Sequence, residues 1–363
     1  MSGLAIILFF IFLAIHLGYW CFFYRNHAGL SYSISDEKVQ LPGVSVIICY
    51  KNAGVRIVQT VQSVLNQNYP EFEVIAINDF STDQGPELLQ QIHDFRLKTL
   101  SAKVDRPGKK YALKEGIAHA RYDWVALTDA DCIPDSQEWL SKMFIACRRQ
   151  NADIVLGYSP MTEGTQFVSR FSAFETVLTA LQYFSFALSG LAYMGVGRNL
   201  LYRKEVFTEY ADDRYFSIPA GDDDLLIQRA APHCTVGICT DRSAWILTRP
   251  QTTWLAFLNQ KSRHVAVSGY YSPIYRWWLG LFSVSMIMVY ISGAMILSYG
   301  LLPWYVLLII FLLKWTIQAF CHARFFKYFA PQMFMKYPLY EAVYAVYLML
   351  LGPVSLILKN KKW

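Results

Sequence analysis

The chain has 363 residues, 54% hydrophobic and 16% aromatic, and carries a net charge of +6. So apolar a composition exceeds an ordinary soluble domain and calls for membrane segments. No basic and aromatic stripe accompanies the charge, so nucleic acid is not an expected partner; the basic excess sits in loops and a tail suited to anionic lipid.

Leu4 to Tyr24 is apolar almost throughout, with His16 its one readily charged residue. A membrane span needs ~20 such residues. No basic residue precedes it and no small-residue cleavage site follows, so residues 1–24 read as a retained anchor. Arg25 then favours a cytoplasmic C-terminal flank. Residues 25–41 are a linker, and Pro42-Gly43 opens a domain expected to run over 42–265.

Val44 to Tyr50 and Phe72 to Asn78 read as buried strands. Val55, Val58, Val61 and Leu65 recur at helical spacing between them. Leu97 to Leu100 is a short strand, Lys110 to Ala120 a helix, and Trp124 to Leu127 a further buried strand. Alternating strands and helices predict an α/β domain with a mostly parallel sheet and helices on both faces. Ligands of such sheets bind at the carboxyl ends of the strands. Asp79, Asp129 and Asp131 all fall at such ends.

Asp129 and Asp131 stand one residue apart, and carboxylates that close repel unless something positive lies between them. Hard oxygen ligands suit Mg²⁺ or Mn²⁺, which keep waters and bind substrate phosphates. A surface Asp-x-Asp loop is the competing reading, and the convergence of three carboxylates at strand ends argues against it. Asp222, Asp223 and Asp224 form a second cluster, whose mutual repulsion raises at least one pKa. The same run also suits the N-terminus of a helix over Leu225 to Ala230. The two readings are compatible, with Asp222 or Asp224 capping and Asp223 left to face a ligand.

Val168 to Met194 is apolar but contains Arg170, Glu175 and Gln182. A transmembrane helix is one reading; an amphipathic interfacial helix lining a binding site is the preferred one. Residues 266–363 form a membrane region with hydrophobic segments at 277–299, 302–321 and 340–358. A turn at Gly300 joins the first two, and a basic loop from Arg324 to Lys336 precedes the last. Lys359, Lys361 and Lys362 would then lie outside, against the positive-inside tendency, unless Pro353 breaks the fourth segment. Lys314 falls within the third and is expected to snorkel; no polar pairs of a transport path are evident in the spans. The seven cysteines show no Cys-x-x-Cys pair and read as free thiols, Cys132 as a packing residue. His119, His233 and His264 are assigned no metal role.

Several motifs, in order, resemble the family-2 glycosyltransferases, inverting enzymes of the GT-A nucleotide-sugar fold. Val44-Ser45-Val46-Ile47-Ile48-Cys49 is similar to the family's first strand, Asn78 to Asp83 to its nucleotide-binding turn, and Gly108-Lys109-Lys110-Tyr111-Ala112-Leu113 to its Gly-Lys-x-x-Ala-Leu segment. Asp129-Ala130-Asp131 resembles its metal motif. Gly195 to Asn199 with Tyr202-Arg203 resembles its acceptor-side strand, Gly221 to Arg229 its Glu-Asp motif, and Gln260 to His264 the Gln-x-x-Arg-Trp signature of polysaccharide synthases and ceramide glucosyltransferases. Ala53 stands where the family often has an acidic residue after Asn52, and His264 where the signature ends in Trp.

The resemblance implies roles. Asn52, Asp79, Lys109, Asp129, Gln260 and His264 would bind the nucleotide-diphosphate sugar, and Asp131 with Asp129 would hold Mg²⁺ or Mn²⁺. Asp223 would deprotonate the acceptor, and Arg263 would add positive charge beside the diphosphate. For Lys109 a solvated lysine at a helix start is an equal reading. The implied activity is transfer to a lipid, lipid-linked or glycan acceptor at the cytoplasmic face, where nucleotide sugars reside. A processive polysaccharide synthase is the alternative enzyme, and His264 weighs against it. An inactive scaffold or transporter subunit is the alternative of another class, and the intact carboxylates weigh against that.

Overall fold

The structure is a computed structural model that describes residues 2–34, 40–102, 108–218 and 220–358. The middle of the expected linker and the terminal lysines Lys359, Lys361 and Lys362 lie outside the described residues. The chain falls into two compact units. One takes the described residues within 1–30, 164–185 and 251–362; the other takes those within 31–163 and 186–250.

The second unit is built on a seven-stranded sheet. In chain order its strands are β1 Val44–Tyr50, β2 Phe72–Asn78, β3 Leu97–Ser101, β4 Trp124–Leu127, β6 Ile154–Leu156, β7 Leu200–Arg203 and β8 Val236–Ile238. A separate two-stranded ribbon pairs β5 Ile133–Pro134 with β9 Ile246–Leu247. The sheet order is β3-β2-β1-β4-β7-β6-β8. β1, β2, β3 and β4 are parallel, whereas β7 pairs antiparallel with both β4 and β6. The central strands are buried on both faces, which is why they read as unbroken apolar runs rather than alternating ones.

Helices α2 Val55–Leu65, α3 Gly85–Gln90, α4 Lys109–Ala118 and α5 Trp139–Gln150 accompany the first half of the sheet. The short helices α7 Lys204–Tyr210, α8 Asp213–Ser217 and α9 Asp224–Ala230 follow β7. α4 lies close on the sheet because Gly116 has no side chain: a Cβ there would come within 2.6 Å of Ile77 and 2.9 Å of Ile47. α4 follows β3, so its N-terminus, with Lys109 and Lys110, sits where the parallel strands end.

The first unit contains α1 Ser2–His27, α6 Phe167–Leu188 for most of its length, α10 Trp254–Ser268, α11 Pro273–Ser298, α12 Trp304–Phe329, α13 Pro331–Phe334 and α14 Tyr337–Leu358. Among the described residues three helices are long and apolar enough to cross a membrane, over Gly3–His27, Pro273–Ser298 and Trp304–Phe329. α14 covers the fourth apolar segment and continues through Pro353. Gly300 turns between α11 and α12 at φ 59°. The basic loop expected from Arg324 is mostly helix, because α12 extends its aromatic run to Phe329; the Arg324 guanidinium donates to the carbonyls of Ala28 and Leu30.

Two expectations about these helices fail. α6 has no broad polar face: Phe171, Phe174, Val177, Ala180 and Phe186, which point in all directions round a helix, are all buried. Its buried Glu175 pairs with Lys261 of α10. Lys314 does not snorkel. It is 2% exposed and pairs with the fully buried Glu341 of α14. Glu341 also accepts from Gln318 Nε2 at 2.7 Å, Trp315 Nε1 at 2.9 Å and the Tyr290 hydroxyl at 3.1 Å, and lies 3.2 Å from His16 Nε2. α1, α11, α12 and α14 thus meet at a polar centre. The sequence conceals it because the partners lie on separate helices and Glu341 falls at the edge of the fourth apolar segment.

Candidate active site

The winding of the sheet reverses between β1 and β4. Ligands of open α/β sheets bind in the crevice at such a switch point, outside the carboxyl ends of the strands. Each loop leaving those ends carries part of the site.

After β1, Asn52 adopts a left-handed backbone at φ 51° and its side-chain oxygen accepts from Thr82 N at 2.8 Å. Asp83 answers by accepting from Gly54 N at 2.6 Å. The first and second loops are therefore tied together before any ligand arrives. Ala53, where an acidic residue is often found, is 8% exposed and packs into the core under the sheet. After β2, the buried Asp79 accepts from Gly108 N at 2.9 Å. Gly108 has φ 149°, a conformation that favours glycine, and it caps α4. A carboxylate at a helix N-terminus meets the partial positive charge of the helix end.

Lys109, the first residue of α4, is the electrostatic centre. Its ammonium lies 2.8 Å from Asp129 Oδ1 and 2.8 Å from Asp222 Oδ2. Burial works against its charge, but Asp129 and Asp222 outweigh it and hold its pKa well above the ordinary lysine value. Lys109 sits at the helix start as expected, but with its side chain 25% exposed and held in two ion pairs rather than free in solvent. Burial likewise disfavours the Asp129 carboxylate, and Lys109 reverses that and lowers its pKa. Lys109 resolves the carboxylate repulsion expected at Asp129. Asp131 is half-exposed and lies 3.9 Å from Arg56.

Asp223 forms the opposite wall. Its Oδ2 accepts from Gly197 N at 2.6 Å and its Oδ1 from Asp224 N at 3.0 Å. Asp223 is itself the N-cap of α9, a correction to the expectation that Asp222 or Asp224 would cap while Asp223 faced the acceptor. Burial, then the charge of Asp222, pushes its pKa from the ordinary 3.8 up to about 6. The Gly195 to Asn199 segment is anchored from below. Asn199 accepts from Trp139 Nε1 at 2.9 Å and donates to the carbonyls of Tyr158 and Ala244. Arg198 donates to Ser159 Oγ at 2.7 Å, and its charge helps lower the Asp129 pKa.

The fold brings Asn52, Asp79, Lys109, Asp129, Asp131 and Asp223 to the strand ends of one unit. Gln260, Arg263 and His264 lie on α10 of the other unit, the last two exposed. Arg198 is a neighbour to which the sequence assigned no electrostatic role, and Asp222, expected to repel the adjacent aspartates, also pairs with Lys109. Their motifs were visible, but not their partners. Among the described residues no group of three His, Cys, Asp or Glu side chains is arranged to hold a metal. Mg²⁺ needs less from the protein, often one or two carboxylates completed by water and substrate phosphate. The exposed carboxylate of Asp131 beside Asp129 fits that donor set. Cys132 is buried in the core and burial pushes its thiol up, as suits a packing residue.

A mostly parallel sheet with helices and an acidic crevice at its switch point is the GT-A architecture. Residues 45–211 match the model of the family described as Glycosyl transferase family 2, and this stretch of the chain is a glycosyl transferase family 2 domain. Among relatives, a poly-beta-1,6-N-acetyl-D-glucosamine synthase of Staphylococcus epidermidis is 36% identical over 120 residues, 32% of this chain and 28% of that protein. The protein of the same name from Staphylococcus aureus (strain COL) is 36% identical over 99 residues, 26% of this chain and 23% of that one. The chain thus aligns with about a quarter of the length of these relatives. Among solved structures, the mannosyltransferase PcManGT from Pyrobaculum calidifontis, in complex with GDP-Man and Mn²⁺, superposes with a TM-score of 0.60. That match covers 95% of this chain and 98% of the other at 17% identity, a likeness of fold.

Proposed function

We propose that this protein is a membrane-anchored, inverting glycosyltransferase. It moves a sugar from a nucleotide-diphosphate donor to a lipid, lipid-linked or glycan acceptor at the cytoplasmic face. The observation that carries this reading is the acidic crevice at the strand ends, where Lys109 bridges Asp129 and Asp222 and Asp223, next to Asp222, accepts from Gly197 N. Asp129 is held ionised beside Lys109, while Asp223 has a pKa raised to about 6. Environments that push carboxylate pKa values apart are how one site assigns different roles to the same side chain.

In the reaction the acceptor hydroxyl attacks the anomeric carbon as the bond from that carbon to the diphosphate oxygen breaks. The hydroxyl proton passes to Asp223, which is mostly ionised at neutral pH yet basic enough to accept it. The configuration at the anomeric carbon inverts because attack and departure occur on opposite faces. Asp79 and Asn52 hold the loops that receive the nucleotide, and Lys109 keeps Asp129 charged and placed. Mg²⁺ or Mn²⁺, held by Asp131 with Asp129, supplies Lewis-acid stabilisation of the departing diphosphate when bound. Gln260, Arg263 and His264 enter this reading through the resemblance of their motif. The Arg25 flank supports a cytoplasmic domain.

A second reading, processive synthesis of a polysaccharide, draws support from the names of the relatives at 36% identity; His264 in place of Trp weighs against it. The test uses purified full-length protein in lipid nanodiscs, a panel of nucleotide sugars, Mg²⁺ or Mn²⁺, and membrane lipid extract. Nucleoside diphosphate release that depends on the extract, with one sugar added per acceptor, is the expected result. Products of many lengths would favour the processive reading. No release with any donor would refute both.

A further inference from the structure

The Gly-Lys-x-x-Ala-Leu resemblance covers Lys109 and leaves position 110 unassigned, yet Lys110 is the more deeply buried of the two, at 5% exposure. Its ammonium donates to the carbonyls of Tyr215 at 2.7 Å and Ile218 at 3.0 Å, and lies 4.0 Å from the centre of the Tyr215 ring. Among the described residues these neutral groups are its only close partners. Burying an ammonium against neutral groups is costly, and burial lowers the Lys110 pKa to about 8. A methionine of similar length would fill the space without that cost, so the charge must hold something that packing alone would not.

What it holds leads to Asp223. The Tyr215 carbonyl lies in the last turn of α8, where it also accepts from Ile218 N at 3.4 Å, and a cation is favoured at such a helix end. Tyr215 is fully buried, and its hydroxyl donates at 2.8 Å to the carbonyl of Asp222. That carbonyl belongs to the peptide bond joining Asp222 to Asp223. Lys109 meanwhile holds the Asp222 carboxylate at 2.8 Å. Two successive lysines at the start of α4 therefore grip the same residue, one by its side chain and the other, through Tyr215, by its backbone.

We propose that Lys110 is a positioning residue that, through Tyr215, orients the Asp222–Asp223 peptide and so aims the Asp223 carboxylate at the acceptor. The inference rests on the assignment of Asp223 as base. A group displaced by about 1 Å can cost about 10²-fold in rate while substrate still binds.

The test compares Lys110→Met, Lys110→Arg, Tyr215→Phe and the Lys110→Met/Tyr215→Phe double variant, in full-length protein in nanodiscs. Turnover, donor KM and amide hydrogen exchange are measured for each. Lys110→Met is expected to lower turnover about 10²-fold and leave donor KM within about twofold. Lys110→Arg should recover at least tenfold of that loss, because a guanidinium can still serve both carbonyls. Tyr215→Phe should act in the same direction, and the double variant should be no worse than about twofold below Lys110→Met, since both break one chain of contacts. Exchange should quicken at Gly221 to Asp224 in Lys110→Met and stay unchanged in β1 and β2. Wild-type turnover in Lys110→Met, a raised KM at constant turnover, or losses that multiply in the double variant would overturn the proposal. A wild-type protein that transfers no sugar would instead refute the proposed function, and the exchange pattern would then decide whether Lys110 orders the segment.

Discussion

Asp223→Asn separates the demands of catalysis from those of stability at one position. The side chain caps α9, accepting from Asp224 N, and also accepts from Gly197 N. Asparagine caps about as well as aspartate, but its single side-chain oxygen can keep only one of these two hydrogen bonds. The rise in pKa from 3.8 to about 6 means that the folded state disfavours the ionised form. Below the ordinary aspartate pKa the group is protonated in both states and costs nothing. As pH rises from about 4 through 6 the unfolded chain ionises more readily, and folding loses stability. The distance between the two pKa values corresponds to about 3 kcal/mol at the upper limit, reduced by the shared charge of Asp222. The amide of the variant cannot ionise, so the stability of Asp223→Asn relative to wild type should improve by about 1–3 kcal/mol between pH 4 and pH 7.5, on top of a pH-independent cost for the lost acceptor. Turnover should fall by ~10²–10⁴ if Asp223 takes the acceptor proton, and the rise of wild-type kcat/KM through about pH 6 should vanish. Nucleoside diphosphate release across pH and thermal unfolding at the two pH values read both effects. Near-normal turnover in Asp223→Asn, with the loss found instead in Asp222→Asn, would refute the assignment.

Further outcomes follow from other parts of the molecule. Asp131→Asn should abolish transfer and weaken Mn²⁺-dependent donor binding with the fold intact; full activity of that variant, or of wild type in excess chelator, would sink the metal role. Glu341→Gln and Lys314→Met should each cost about 3–5 kcal/mol or prevent accumulation of folded protein, because each strands a buried partner. The exchange Lys314→Glu with Glu341→Lys should recover much of that loss, read by thermal unfolding in detergent, and no recovery would mean that the pair is not what holds α12 to α14. In a cysteine-free background, a thiol reagent applied outside intact cells should label Ser298→Cys and spare Ser136→Cys; the reverse pattern would invert the proposed topology.

The sequence determined what local pattern can determine. Apolar runs such as Val44 to Tyr50 and Trp124 to Leu127 are strands because both faces are buried, so burial is written into consecutive residues. The spacing from Val55 to Leu65 is a helix with the expected ends. Asp79, Asp129 and Asp131 were legible as candidate site residues because strand ends are where an α/β sheet presents ligands. Only the tertiary structure decided which charges meet. Lys109 reaches Asp129 and Asp222 from different loops, and nothing in its neighbours along the chain distinguishes it from a solvated lysine. The cap of α9 fell on Asp223 because Gly197 approaches it from another segment. Lys314 found Glu341 across two helices instead of snorkelling, and α6 lost its expected polar face to packing on all sides. Periodicity reports how one segment divides its surface between core and solvent. It carries no information about partners brought close by the crossing of distant elements, and the energies of buried charges depend on those partners.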